Sequence, residues 1–168
     1  MAGVLLLLIV AVALWFVASY VRLIGMRGEL MNRWRQIDLQ LRLRHDLILQ
    51  LVNAVRGAMA FEREAVVGLM EARERALRAA GPSDAARRED ELSLAVDTLF
   101  SAASRYPALE ADEELVAIRR ELSAMEKRIR VAQRSYNDTA GQYNAAQRVF
   151  LLHRLAAQLG VRQAEGFD

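Results

Sequence analysis

Residues 2–21 read AGVLLLLIVAVALWFVASYV, an apolar run that contains no charged side chain. A helix of this length extends for about 30 Å, which is the thickness of the hydrocarbon core of a bilayer. Trp15, Tyr20 and Arg22 lie toward the C-terminal end of the run, where aromatic and basic side chains favour the membrane–water interface. The sequence therefore predicts a transmembrane anchor over residues 1–24.

A cleaved signal peptide is the competing interpretation of this run. Such a peptide has a basic start, a shorter apolar core and a cleavage site of small residues. Here no Lys or Arg precedes the run, and Val17-Ala18-Ser19 is a weak match to a cleavage site. The pattern favours an uncleaved anchor.

The basic residues near the predicted anchor all follow the apolar run. They are Arg22, Arg27, Arg33 and Arg35. Basic residues close to a membrane span are retained on the cytoplasmic side. We therefore expect a single-pass protein with a short N-terminus outside and its body in the cytoplasm.

Composition limits the function of the body. The net charge is only +2, and arginines stand close to carboxylates, as in Arg87-Arg88-Glu89-Asp90-Glu91. Such a mixed-charge face is typical of a solvated helix and not of a nucleic-acid interface. The chain has no cysteine, so disulfides and thiolate metal sites are excluded.

The body is predicted to be all-α. Its two prolines, Pro82 and Pro107, lie in the motifs Gly81-Pro82-Ser83-Asp84 and Tyr106-Pro107-Ala108. The first motif indicates a helix stop, a turn and a new N-cap, and the second indicates another turn near a helix start. A shorter helix over residues 85–105 is expected between them. No segment shows the alternation of a strand.

Both long helical segments carry a heptad seam, with apolar residues at alternating steps of three and four. The first seam contains Leu30, Trp34, Ile37, Leu41, Arg44, Ile48, Leu51, Val55, Ala58, Glu62, Ala65, Leu69, Ala72 and Ala76. The second contains Leu115, Ile118, Leu122, Met125, Ile129, Ala132, Tyr136, Thr139, Tyr143, Ala146 and Phe150. The seams predict a helical-bundle core, and a long homo-oligomeric coiled coil is the alternative.

The expected architecture is an antiparallel three- or four-helix bundle with long helices over residues 25–159, followed by a tail over residues 160–168. One geometric question stays open. An unbroken first helix over residues 29–80 would be about 75 Å long and would outreach the middle helix. Gly57 favours a break there, whereas the continuous phase of the seam favours a single helix.

Polar residues within or beside the seams are the candidate functional residues. Arg44 and Glu62 interrupt an apolar stripe, and a buried charge needs a partner. Two Tyr-Asn pairs stand seven residues apart and place amides beside the core. We interpret this set either as a buried polar layer that fixes helix pairing or as a docking surface; its members are Arg44, Asp46, Tyr136, Asn137, Asp138, Tyr143 and Asn144.

No catalytic, cofactor-binding or metal-binding residue is predicted. His45 and His153 are the only histidines, and neither belongs to a His-Glu-x-x-His motif or a carboxylate–histidine cluster in the sequence. The sequence also lacks a G-x-S-x-G elbow and a glycine-rich phosphate loop. An enzymatic function is therefore not expected.

Several motifs together resemble the bacterial LemA family. Its signature is similar to residues 34–48, which read WRQIDLQLRLRHDLI, followed by Val52. The similarity continues along most of the chain in Tyr106-Pro107-Ala108-Leu109, Glu121-Leu122, Glu126, Arg128-Ile129, Tyr136-Asn137-Asp138, Tyr143-Asn144 and the stretch from Ala157 through Gly160, Arg162 and Ala164 to Phe167.

The chain also departs from that pattern at two prolines. Ile48-Leu49-Gln50 stands where the family usually has Ile-Pro-Asn, and Leu151 follows Phe150 where the family usually has Phe-Pro. Because proline breaks or kinks a helix, its loss predicts straighter helices here.

The resemblance implies a protein of the bacterial inner membrane and no particular reaction. It favours a scaffold or adaptor that docks an unidentified membrane or envelope protein, alone or as a homo-oligomer. The alternative is a self-assembling protein that binds lipid or remodels membranes. That alternative uses a basic amphipathic C-terminal end, made by Arg148, Phe150, Leu151, Leu152, His153, Arg154, Leu155, Ala156, Leu159 and Arg162.

Overall fold

The computed structural model describes residues 2–57, 62–149 and 164–167. Within these residues the chain is helical apart from short connections, and no strand occurs there. The all-α prediction is thereby confirmed. The helices are α1 (Ala2–Val55), α2 (Arg63–Leu77), α3 (Pro82–Ala103), α4 (Pro107–Glu110) and α5 (Glu113–Val149).

Helix α1 is a single helix of 54 residues, which corresponds to about 80 Å. Its first part contains an 18-residue window with a mean hydropathy of 2.8, and none of that window is buried. Trp15, Tyr20 and Arg22 are exposed on the same helix. By length and composition alone, this helix is suited to crossing a membrane. The predicted boundary after residue 24 falls inside α1, so the apolar part and the body share one helix.

The first long helical segment is broken, as Gly57 suggested. Helix α1 ends at Val55, a turn follows at Arg56 and Gly57, and α2 begins at Arg63. Residues 58–61, which include the seam position Ala58, lie outside the described residues. The seam resumes in α2, where Leu69, Ala72 and Ala76 are buried. The break lets α2 lie beside α1, and the Arg73 Nε–H donates to the carbonyl oxygen of His45 at 2.9 Å.

Helices α1 and α5 lie side by side in opposite directions. Trp34 faces Tyr136, with ring centroids 6.0 Å apart, and Arg44 binds Glu126, ten residues earlier on α5. The seams form this contact, since their apolar members are buried or half-buried wherever the structure describes them. Those exposed by at most 7% are Leu30, Ile37, Leu41, Ile48, Leu51 and Val55 on α1, and Leu115, Ile118, Leu122, Met125, Ile129, Tyr136 and Tyr143 on α5.

The buried apolar side chains form two clusters. The first lies at the end of the body remote from the apolar part of α1; it extends from Leu47 to Val55 on α1 and includes α2, most of α3 and the start of α5. The second joins Leu23–Leu41 of α1 to the second half of α5, the first turn of α3 and Phe167. On α1 the two clusters are separated by the stretch that contains Arg44 and His45.

The Gly81-Pro82 turn starts α3 earlier than predicted. We expected a new N-cap at Ser83-Asp84 and a helix from residue 85, but Gly81 is the N-cap and Pro82 is in the first turn. Asp84 instead accepts a hydrogen bond from the Ala80 N–H at 3.1 Å. That bond, followed by one from Arg87, lowers the pKa of Asp84. A helix can start here because Gly81 adopts φ 87° and ψ 174°, a conformation open almost only to glycine.

Replacing Gly81 by alanine should lower the free energy of unfolding by about 1–3 kcal/mol, because Cβ is strained in that conformation. Gly68→Ala is the matched control. Gly68 lies inside α2 with nothing within 4 Å of an added Cβ, so alanine there should stabilise the chain by about 0.5–1 kcal/mol. Chemical unfolding of the full chain in detergent, followed by circular dichroism, measures both. Equal effects of the two substitutions would contradict this account of the turn.

Candidate functional site

A layer of charged side chains separates the two apolar clusters. Arg44 Nη1 donates to Glu89 Oε2 at 2.9 Å, and Arg44 Nη2 donates to Ser93 Oγ at 2.8 Å and to Glu126 Oε1 at 2.9 Å. Arg44 is 3% exposed and Glu89 is 5% exposed. We call Arg44, His45, Glu89, Ser93 and Glu126 the charge layer.

His45 completes the charge layer from the next position on α1. Its Nε2 lies 2.5 Å from Glu89 Oε1, so the two oxygens of Glu89 bind two different side chains of α1. Ser93 Oγ donates back to the Glu89 carbonyl oxygen at 2.9 Å. Together with the bond from Arg73 to the His45 carbonyl, these contacts join α1, α2, α3 and α5 at one level.

Burying the charge layer costs free energy, which the pairing of its members offsets. Removing an ion from water costs several kcal/mol, and attraction to a well-placed partner repays this only with good geometry. Glu89 meets that condition, with a partner on each oxygen. Arg44 Nε and His45 Nδ1 are buried without a hydrogen-bond partner among the described residues. The layer therefore contributes more to the register of the helices than to net stability.

Sequence reasoning found Arg44 but missed its partners. Glu89 was expected on a solvated mixed-charge face, and His45 was expected to have no carboxylate beside it, but the structure buries Glu89 of α3 against both Arg44 and His45. The sequence did contain a signal for this partner. Leu92, Val96 and Leu99 form an apolar stripe along α3, and Glu89 lies on the same stripe three residues before Leu92. A carboxylate on the buried face of α3 is a suitable partner for an arginine at a seam position of α1.

Three residues of the two Tyr-Asn pairs, Tyr136, Asn137 and Asn144, form a second site, which binds the C-terminal segment, defined here as residues 164–167. The Asn144 amide accepts from the Ala164 N–H at 2.9 Å and donates to the Ala164 carbonyl at 3.1 Å. The Asn137 amide does the same with Phe167, at 2.7 and 3.0 Å. The amides were expected to fix register across helices, but these bonds hold the C-terminal segment to α5.

Aromatic rings support this second site. Tyr136 OH donates to the Glu165 carbonyl at 3.0 Å, and Phe167 packs against Trp34 with ring centroids 5.7 Å apart. Phe167 is only 4% exposed. Burial, with a smaller effect from the Glu165 carboxylate, raises the pKa of Tyr136 above its usual value. Tyr136 thus stays a neutral hydrogen-bond donor. We call Asn137, Asn144, Tyr136 and Trp34 the clasp.

The structure divides the predicted set of polar residues between these places. Arg44 belongs to the charge layer, whereas Tyr136, Asn137 and Asn144 belong to the clasp and Tyr143 is buried in the apolar cluster beside it. Asp46 and Asp138 are exposed and join neither group. The amphipathic C-terminal end predicted between Arg148 and Arg162 lies outside the described residues, apart from Arg148, which is exposed on α5.

An open groove lies where α5 reaches the apolar part of α1. Its volume is about 490 Å³, and its walls include the predicted interface residues Trp15 and Arg22. The remaining lining residues are Ser19, Leu23, Met26, Gln142, Ala145 and Ala146.

These features define a class of all-helical protein in which a long apolar N-terminal helix continues into a body organised around a buried charge layer. The sequence model of the LemA family matches residues 33–168. This chain therefore belongs to the LemA family, as its motifs suggested. No curated protein matches the chain.

Replacing Arg44 by methionine should lower the free energy of unfolding by about 3 kcal/mol or more, because Glu89 would remain buried without its guanidinium partner. Adding Glu89→Gln should restore part of the loss, since it removes the uncompensated charge. Arg42→Met is the matched control, because Arg42 makes an exposed pair with Asp38 worth at most about 0.5 kcal/mol. Chemical unfolding of five chains measures the differences: the wild type, Arg44→Met, Glu89→Gln alone, the double variant and Arg42→Met. Additive effects of the Arg44 and Glu89 substitutions would contradict the pairing.

Proposed function

We propose that this chain is a single-pass protein of the bacterial inner (cytoplasmic) membrane whose body docks partner proteins and catalyses no reaction. In this proposal the apolar part of α1 spans the bilayer and the rest of the chain forms an antiparallel helical bundle in the cytoplasm. The observation that carries the proposal is the continuity of α1, which joins an uncovered apolar window to a packed body in one helix.

Exposure of the apolar side chains supports the membrane anchor. Leu6 is 65% exposed and Leu7 is 70% exposed, and these residues belong to a window of which nothing is buried. A soluble protein rarely leaves so large a continuous apolar surface in water. Trp15, Tyr20 and Arg22 then lie at the level of one headgroup layer, and the arginines after them favour a cytoplasmic body.

The burial of the charge layer supports a docking function and not a catalytic one. Arg44, His45 and Glu89 have side chains that would suit acid–base chemistry, but each is at most 5% exposed. They are engaged with one another or with neighbouring helices and cannot reach a substrate in solution. Membership of the LemA family assigns the chain no reaction. The long helices instead offer rigid outer faces to another polypeptide.

Lipid binding is the second candidate function. The groove of about 490 Å³ beside Trp15 and Arg22 favours it, because the groove lies at the predicted membrane surface. Basic and aromatic side chains at that depth suit an anionic lipid headgroup and its acyl chains.

The tagged full-length chain, purified from its native membrane in mild detergent, should carry a second polypeptide in a fixed ratio. Protein composition and complex mass test this, with an untagged chain as the control. A large assembly of this chain alone that deforms liposomes would overturn the adaptor proposal in favour of the lipid-binding alternative.

The absence of cysteine allows a separate test of orientation. A single cysteine at Leu94, which is 70% exposed, should react with a membrane-impermeant maleimide only after the inner membrane is opened. The matched variant Gly3→Cys lies at the N-terminal end of the apolar run and should react in spheroplasts with an intact membrane. Labelling of Leu94→Cys in intact spheroplasts would place the body outside.

A further inference from the structure

We propose that the clasp is a binding site for an extended peptide segment of a partner protein, and that residues 164–167 are its intramolecular occupant. The recognised segment would carry a small residue three positions before a buried aromatic residue, as Ala164 and Phe167 do here. This inference rests on the proposed docking function, because it names the surface and the chemistry through which a partner would bind.

The spacing of the clasp matches an extended peptide. Asn137 and Asn144 are seven residues apart on α5, which separates them by about 10.5 Å along the helix axis. Ala164 and Phe167 are three residues apart, which is about 10 Å of extended chain. Two turns of helix and three extended residues therefore have the same length, so both amides can bind one straight segment.

The clasp binds main-chain atoms of the segment that it holds. Each amide binds both the N–H and the C=O of one residue, and Tyr136 binds the carbonyl of a third. None of these five bonds requires a particular side chain on the bound segment. In domains that bind a peptide as an added strand at a sheet edge, main-chain hydrogen bonds likewise provide affinity and side-chain pockets provide specificity.

Selectivity would come from the two ends of the segment. Phe167 is buried against Trp34, and Ala164 is half-buried in the same apolar cluster. Glu165 between them is exposed, so that position would tolerate most residues. A partner segment thus needs an aromatic side chain at the Phe167 position and a small one at the Ala164 position.

The clasp leaves space beside the segment that it holds. An open cavity of about 760 Å³ adjoins Glu165 and Gly166, with a wall formed by the start of α3 at Ser83, Asp84 and Arg87. This space would accept larger side chains than those of residues 165 and 166. Residues 164–167 leave this space empty. A partner segment with larger side chains at these positions would fill it and could therefore displace them.

The experiment uses the full-length chain in detergent with Trp15→Phe, which leaves Trp34 as its one tryptophan. Phe167→Ala is introduced to weaken the intramolecular occupant. The probe is a peptide with the sequence of residues 163–168, QAEGFD, and the matched control peptide is QAEGAD. Binding is followed through the fluorescence of Trp34, which contacts the phenylalanine position.

QAEGFD should bind the Phe167→Ala chain at least tenfold more tightly than the chain with Phe167, because a tethered segment competes at an effective concentration in the millimolar range. QAEGAD should bind at least tenfold more weakly than QAEGFD. Adding Asn137→Asp and Asn144→Asp, which removes the amide donors at constant shape, should weaken QAEGFD at least tenfold while the helix content stays unchanged.

Three results would overturn the inference. They are a folded Phe167→Ala chain that does not bind QAEGFD at millimolar concentration, binding that is unaffected by the asparagine substitutions, and a wild-type dimer that Phe167→Ala converts to a monomer. The dimer result would mean that a second copy of the chain supplies the bound segment.

This test is separate from that of the adaptor role. Peptide binding without a copurifying partner would leave the clasp in place and refute the adaptor. A partner that copurifies equally with the asparagine variants would support the adaptor and refute the clasp as its docking site.

Discussion

The ion pair between Arg44 and Glu89 is the constraint on which the packing of this protein depends. A guanidinium at a seam position of α1 cannot be buried unless a carboxylate meets it, and the structure supplies Glu89 from α3 and Glu126 from α5. Sliding either helix by one turn would move the carboxylate by about 5.4 Å and leave charges unpaired. The apolar clusters on both sides tolerate such a slide far better, since leucine packs against leucine in several registers. The charge layer thus selects one alignment of helices whose seams alone would permit several.

Sequence periodicity predicted the helices and their buried faces because both are local properties. Heptad spacing placed Ile37, Leu41 and Ile48 in the core, and Gly57 and Pro82 marked helix ends that the structure shows close by. The partners of the polar residues were not predicted, because they depend on which helices meet. Arg44 pairs with a residue 45 positions away, and Asn137 binds backbone atoms 30 positions away. A short segment such as residues 164–167 has no periodicity of its own, and main-chain contacts leave little trace in the side chains that it carries.

The family match and the structure describe how this protein is organised, and neither assigns it an activity. The LemA match begins at residue 33, after the apolar part of α1 and one residue before Trp34, which contacts Tyr136 of α5. The charge layer and the clasp both lie in the matched region, with Ile37 between them on α1 and Ile129 between them on α5. One holds the helices of the body together, and the other holds a segment that is not part of any helix. Different residues of α1 and α5 thus align the helices and hold the C-terminal segment.

The unbroken α1 also has a mechanical consequence. The part of α1 after Arg22 is about 50 Å long, and it is braced by α5 along most of that length. A helix without a hinge transmits rotation, so a change of about 20° in the tilt of its apolar part, comparable to the average tilt of membrane helices, would swing the far end of the body through about 17 Å. For the proposed membrane anchor, the tilt of the apolar part would thus set the lateral position of the far end of the body, with the pivot near Trp15 and Tyr20.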